Sequence, residues 1–170
     1  MISITARHRW LTILVAALGV LLLAAPAAAK GPPESGGGTG AITGLEIEPI
    51  RSVGGNNQED RTVSGTVEGT LDGTFVQETT GTVHTNAPNN RVTFRGVLTF
   101  TGTIDGCGDE VHTLVLGMSG QGTVPEPGFP VTEARLRAIG HPDTTVDVTG
   151  QGTVSQNGPF LDYEIDYICR

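Results

Sequence analysis

The sequence predicts an all-β protein, a single small antiparallel barrel of about eight strands, with a β-sandwich as the alternative arrangement. Three observations carry that prediction. Apolar residues recur at every second position in several segments, the period of a strand with one dry face. The chain is rich in threonine and holds 25 glycines, a composition that favours strands bent at defined points. Helical periodicity is almost absent, and turn residues separate the alternating runs.

The segment Arg91 to Cys107, RVTFRGVLTFTGTIDGC, shows the pattern at its longest. Val92, Phe94, Gly96, Leu98, Phe100, Gly102 and Ile104 share one side; Thr93, Arg95, Val97, Thr99, Thr101, Thr103 and Asp105 share the other. Two glycines interrupt the apolar row, as a curved sheet requires. Asp105-Gly106 then supplies a tight turn.

Taken in order, Lys30 to Gly40 (KGPPESGGGTG) reads as a flexible Gly/Pro/Ser-rich segment, and the barrel domain is expected over residues 41–170. Ala41 to Ile50 is the first strand, because Leu45 and Ile47 alternate with Glu46 and Glu48. Ser52 to Asp60 (SVGGNNQED) reads as a loop. Val63, Gly65 and Val67 mark the next strand, Leu71-Asp72-Gly73 a hairpin turn, and Thr74 to His84 the return. Thr85 to Asn90 turns into the long strand. In Glu110 to Gly120, Val111, Thr113 and Val115 oppose His112, Leu114, Leu116 and Met118. Both faces are partly apolar there, as in a strand covered on each side or lining a filled barrel.

Pro125 to Pro130 is a loop. Thr132 to Gly140 fits either a helix, capped by Thr132 and ended by Gly140, or a strand, and we favour the strand. Another alternating run lies within Asp143 to Val154. The last segment is the cleanest: Leu161, Tyr163, Ile165, Tyr167 and Cys169 point one way, and Asp162, Glu164 and Asp166 the other.

Residues 1–29 read as a secretory signal peptide. Arg7 and Arg9 precede an apolar run over Leu11 to Ala25, and Ala27-Ala28-Ala29 offers a small-residue cleavage site. A secreted, extracellular or periplasmic protein is expected, with no membrane insertion after cleavage. The formal net charge of −8 becomes more negative once Arg7 and Arg9 are removed. An acidic chain without a basic run excludes nucleic acid as a partner. In an oxidising compartment the two cysteines, Cys107 and Cys169, are expected to pair. Closing so long a loop is worth about 4 kcal/mol in chain-entropy terms.

FRGVLTFTGTIDGCG (Phe94 to Gly108), the strand after it with its Gly-rich corner, and LDYEIDY (Leu161 to Tyr167) together resemble bacterial proteins of unassigned function with an allene-oxide-cyclase-like barrel. The resemblance runs from about Thr62 to Tyr167. It implies an eight-stranded antiparallel barrel with a central pocket, related in shape to plant dirigent proteins and to calycins. It implies no shared chemistry, because fold does not fix function, and no catalytic residue of the plant cyclases matches a position here.

Candidate sites are few. His112 and Tyr163 are the polar groups best placed to act inside a barrel. A histidine in such a strand is more often hydrogen-bonded in or near the core. Asp162, Glu164 and Asp166 form a carboxylate row that reads as a solvated face rather than a Ca²⁺ site, since the Ca²⁺-loop spacing is missing. Arg95 with Arg135 or Arg137 offers bidentate recognition of a carboxylate, or surface pairing with the acids. Ser64, Ser119 and Ser155 lie in no nucleophile elbow. Neither a metal nor a cofactor is expected. The leading expectation is a non-catalytic barrel that binds an apolar or amphipathic small molecule or acts at the cell surface. Its interior is supplied by Phe94, Leu98, Phe100, Leu114, Leu116, Tyr163 and Tyr167. Two alternatives stay open: a cyclase or isomerase acting on a lipid-like substrate, and an interaction module with a filled interior.

Overall fold

The computed structural model describes residues 34–85, 90–124, 130–145 and 151–168. Eight strands follow one another: β1 (Glu34–Val53), β2 (Asn56–Gly69), β3 (Leu71–His84), β4 (Arg91–Ile104), β5 (His112–Thr123), β6 (Val131–Ala138), β7 (Gln151–Asn157) and β8 (Phe160–Tyr167). Each pairs antiparallel with the next, and β8 returns to β1, so the sheet closes into an up-and-down barrel. Closure removes the open edges that a sandwich would keep.

The alternation in the sequence sorts side chains as expected. On β4, Val92, Leu98, Phe100 and Ile104 are buried; on β8, Leu161, Tyr163, Ile165 and Tyr167 are buried while Asp162, Glu164 and Asp166 face outward. The segment from Val131 is a strand, with Thr132, Ala134 and Leu136 inside and Glu133, Arg135 and Arg137 outside. Val115 points outward yet is only 2% exposed. Here β6 has ended, and Thr144 and Thr145 take its place on β5. Thr145 Oγ1 accepts from the Thr113 amide at 2.8 Å, and the Thr145 amide donates to the Thr113 carbonyl at 2.9 Å.

Three boundaries differ from the sequence reading. Residues 34–40, expected to be a flexible segment, form the start of β1 and close the barrel, with Glu34 to Ala41 paired against Tyr167 to Phe160. Residues 34–40 therefore belong to the fold; residues 30–33 lie outside the described residues. The glycines there are small because large neighbours fill the space. A Cβ on Gly38 would lie 1.9 Å from the Glu68 carbonyl oxygen and 2.8 Å from the Tyr163 hydroxyl.

The hairpin between β2 and β3 turns at Gly69-Thr70, where Gly69 has φ 113°, and Leu71 is already buried in β3. Ser52 to Asp60 is strand except for the turn at Gly54-Gly55. Val146 and Val148 lie outside the described residues, and β7 starts at Gln151. The signal-peptide segment, residues 1–29, also lies outside them.

Strand lengths are unequal, and this shapes the barrel's two ends. β1 pairs with β8 only as far as Ala41, while it follows β2 to Val53. Beyond Ala41, β1 has a neighbour on one side alone. A bulge between Ile42 and Gly44 shifts its alternation by one residue. Leu45 thereby lies beside Val63, and Ile47 beside Arg61, on the concave face. With no strand across from them, Leu45 and Ile47 stay 59% and 46% exposed.

Candidate functional site

The two ends of the barrel are built for different purposes. At the end that holds the β2–β3 turn, the interior is full. Leu71, Phe75, Leu98, Phe100, Ile104, Leu114, Leu116, Leu136, Ile165 and the two tyrosines form one buried cluster. A void of about 30 Å³ remains among Phe75, Leu98, Phe100, Leu116 and Tyr163, too little for a ligand.

At the opposite end the lumen opens into a cup of about 270 Å³. Phe75, Phe94, Met118, Ala134, Val154 and Leu161 give it an apolar floor, and Ile42 and Leu45 one wall. The Phe94 ring lies over Gly120, where a Cβ would come within 2.4 Å of its Cζ. Glycine thus makes the room in which an aromatic floor fits.

Polar groups also reach into the cup. Arg61 and Glu59 form a partly buried ion pair on β2. On β3, Gln77 and Thr79 point inward at successive inner positions. Thr79 is 5% exposed, and its Oγ1 is buried without a hydrogen-bond partner. The Gln77 carboxamide makes no hydrogen bond among the described residues. Thr132 Oγ1 donates to Gln156 Oε1 at 3.3 Å on the far wall. A buried polar atom without a partner is unfavourable by about 1–3 kcal/mol, so Thr79 marks where a ligand's hydrogen-bonding group would be stabilised, with the half-buried Gln77 carboxamide two residues away on the same face.

Of the seven lining residues expected from the sequence, Phe94 faces the cup. Leu98, Phe100, Leu116 and Tyr163 border the 30 Å³ void and not the cup, and Leu114 and Tyr167 border neither. They occupy the filled end. The residues missed by the sequence reading are Arg61, Gln77, Thr79, Thr132 and Gln156. Inward polar positions on β3 were visible as alternation, but only register shows that they lie above the packed layer.

His112 and Tyr163, the candidate reactive pair, do not face the cup. His112 is 4% exposed with Nε2 3.3 Å from the Cys107 carbonyl oxygen. Tyr163 Oη accepts from the Leu71 amide at 2.7 Å and lies 3.2 Å from the Leu71 carbonyl oxygen. Both hold backbone at the filled end. Burial pushes the Tyr163 hydroxyl above its ordinary pKa, the Leu71 amide opposes that shift, and the charge of Asp72 adds to it. Tyr167 is raised as well, by burial first and then by its hydrogen bond to Glu34 and that carboxylate's charge.

Two predictions arise here. Tyr163→Phe leaves the Leu71 amide without its partner, and urea denaturation is expected to show a loss of about 1–3 kcal/mol at unchanged slope. An unchanged midpoint would show that this hydrogen bond holds nothing. Both tyrosine pKa values are higher folded than unfolded, where they stand near 10.0. Their contribution is therefore complete below pH 10 and is lost as pH rises above it toward the folded values. Tyrosinate absorbance reads the chain's two tyrosines, and it is expected to rise together with loss of the β circular dichroism signal. Ionisation at pH 10 with the fold intact would contradict the burial of these hydroxyls.

Among the described residues, no group of three His, Cys, Asp or Glu is placed to hold a metal. The carboxylates of Asp162, Glu164 and Asp166 face outward, and Asp166 accepts from Ser35 Oγ at 2.8 Å. No helix among the described residues is long and apolar enough to cross a membrane. Compared with known proteins, the chain matches no family model and no curated protein.

Proposed function

We propose that this is a secreted, non-catalytic barrel that binds an amphipathic small molecule in its open end. One observation supports the reading above the others: an apolar cup of about 270 Å³ into which a buried Thr79 hydroxyl and a Gln77 carboxamide point, neither with a side-chain hydrogen bond among the described residues. That volume lies just below the roughly 300–1,000 Å³ of ordinary ligand pockets, and the mixture of apolar floor and few polar groups is typical of them. The apolar part of the ligand lies on Phe75, Phe94, Met118 and Leu161. Its polar group lies toward Gln77, Thr79 and the Arg61 guanidinium. Leu45 and Ile47, exposed on the concave side, extend the apolar wall.

The reading takes its compartment from the leader sequence and its barrel from the closed eight-stranded sheet, a shape in keeping with the resemblance to allene-oxide-cyclase-like proteins. The outward face also supports an aqueous setting, since it carries Arg95, Arg135, Asp162 and Glu164 in place of a lipid-facing apolar band. A Cys107–Cys169 disulfide belongs to the same proposal. Cys169 lies outside the described residues, but Cys107 packs on the core, and Gly106 sits beside the Tyr167 hydroxyl. Among the described residues there is no free cysteine. Non-reducing mass spectrometry of the secreted chain is expected to show the two thiols absent; two free thiols would refute the pairing.

The binding test is displacement of an anilinonaphthalene dye by amphipathic molecules of graded length. Saturable one-to-one displacement is expected. Ala134→Leu, which fills the floor, is expected to abolish it. Gln77→Leu is expected to weaken an amphipath about tenfold while leaving a purely apolar competitor unchanged. Absence of saturable binding by a folded wild-type chain, or displacement indifferent to Ala134→Leu, would overturn the proposal.

A further inference from the structure

The outer wall carries a second concavity, unrelated to the cup. It is a broad depression of about 1210 Å³ across β4 to β7, lined by Arg95, Arg135 and Arg137 with Val97, Gly117 and Ile139 among its other residues. Register places Arg95 beside Ser119, and Ser119 beside Arg135, in one row; Arg137 stands beside Gly117 in the next. Two strand spacings separate Arg95 from Arg135, roughly 10 Å, and Arg137 follows about 7 Å along β6. Ser119 and Gly117 between them are small, which makes the wall concave there. Ile139 covers Gly117 so closely that a Cβ would meet its Cγ2 at 3.2 Å.

These arginines differ from the others among the described residues. Arg51 donates to Gln58 at 3.0 Å, Arg91 to Gln121 at 3.0 Å, and Arg61 pairs with Glu59. Arg95, Arg135 and Arg137 make no hydrogen bond or ion pair with any described residue. In a chain of net charge −8, half of the described arginines therefore line one depression with an apolar floor, without a partner among the described residues. A guanidinium presents paired donors that match carboxylate and phosphate oxygens.

The surroundings limit the ligand's size. Asp166 lines one margin of the depression, and Glu164 and Asp162 continue that acidic row along β8. Glu78 stands next to Val97 on the other side. A long polyanion laid across the arginines would run onto these carboxylates and be repelled. We infer that the depression binds a compact organic anion with two or more carboxylate or phosphate groups spaced to reach both Arg95 and the Arg135–Arg137 pair.

Isothermal titration at low salt tests this with citrate and pyrophosphate as probes, acetate as the single-charge control, and a long sulfated polysaccharide as the polymer arm. Binding of citrate or pyrophosphate at one per chain is expected, and which of the two binds separates carboxylate from phosphate chemistry. Arg95→Gln and Arg135→Gln are each expected to weaken it by about tenfold or more, and Arg91→Gln to leave it unchanged. These side chains are exposed, so circular dichroism should be unaltered in every variant. Failure of both probes, equal binding by acetate, tighter binding by the polymer, or indifference to the arginine changes would each overturn the inference.

Discussion

Phe100→Ala is expected to destabilise the barrel by about 3–5 kcal/mol, the range for truncating a fully buried aromatic. Phe100 is 0% exposed and stands in the ladder between Phe75 of β3 and Leu114 of β5. Its ring also covers Gly102, where a Cβ would lie 2.8 Å from Cζ. Removing the ring joins its volume to the existing 30 Å³ void. The surrounding strands are tied by two neighbours each and cannot collapse inward to fill it. The cavity term therefore adds in full to the lost transfer free energy. Urea denaturation measures the loss, with the exposed Thr101→Ala as control, expected to change stability by less than about 1 kcal/mol. A loss as small for Phe100→Ala would mean that this end of the barrel is not packed around it.

Gly38→Val is expected to cost about 3 kcal/mol, the upper part of the overpacking range. The first methyl-sized atom alone meets the Glu68 carbonyl and the Tyr163 hydroxyl. One is backbone of the adjacent strand, and the other is fixed by its bond to the Leu71 amide. Neither yields without disturbing the β1–β8 seam that closes the barrel. Amide hydrogen exchange over residues 34–41 is expected to accelerate together with the fall in midpoint. Gly140→Ala is the control, since nothing lies within 4 Å of a Cβ there. If the two variants behave alike, the seam is not the tight packing described.

The same glycine explains why residues 34–40 escaped the sequence reading. A strand is recognised by alternating side chains, and ESGGGTG has almost none to alternate. What makes it a strand is the size of its partners: Gly38 faces Tyr163, and Gly40 faces Leu161. The closing LDYEIDY run was legible for the opposite reason, because each residue declares its side by its own chemistry. His112 and Tyr163 were legible as inward groups, but their depth along the barrel axis was not. Depth depends on where each neighbouring strand stops.

Local alternation, by itself, determined that this chain is all-β and which residues of β4 and β8 lie inside, because a pleated backbone turns successive side chains to opposite faces. It could not choose the open end. That was decided by unequal pairing in the closed sheet: β1 outruns β8 past Ala41, and the bulge before Gly44 brings Leu45 and Ile47 to the concave side. Register and strand length are properties of pairs of strands. A cup bounded by Arg61, Gln77 and Thr79 therefore exists only once the barrel is closed.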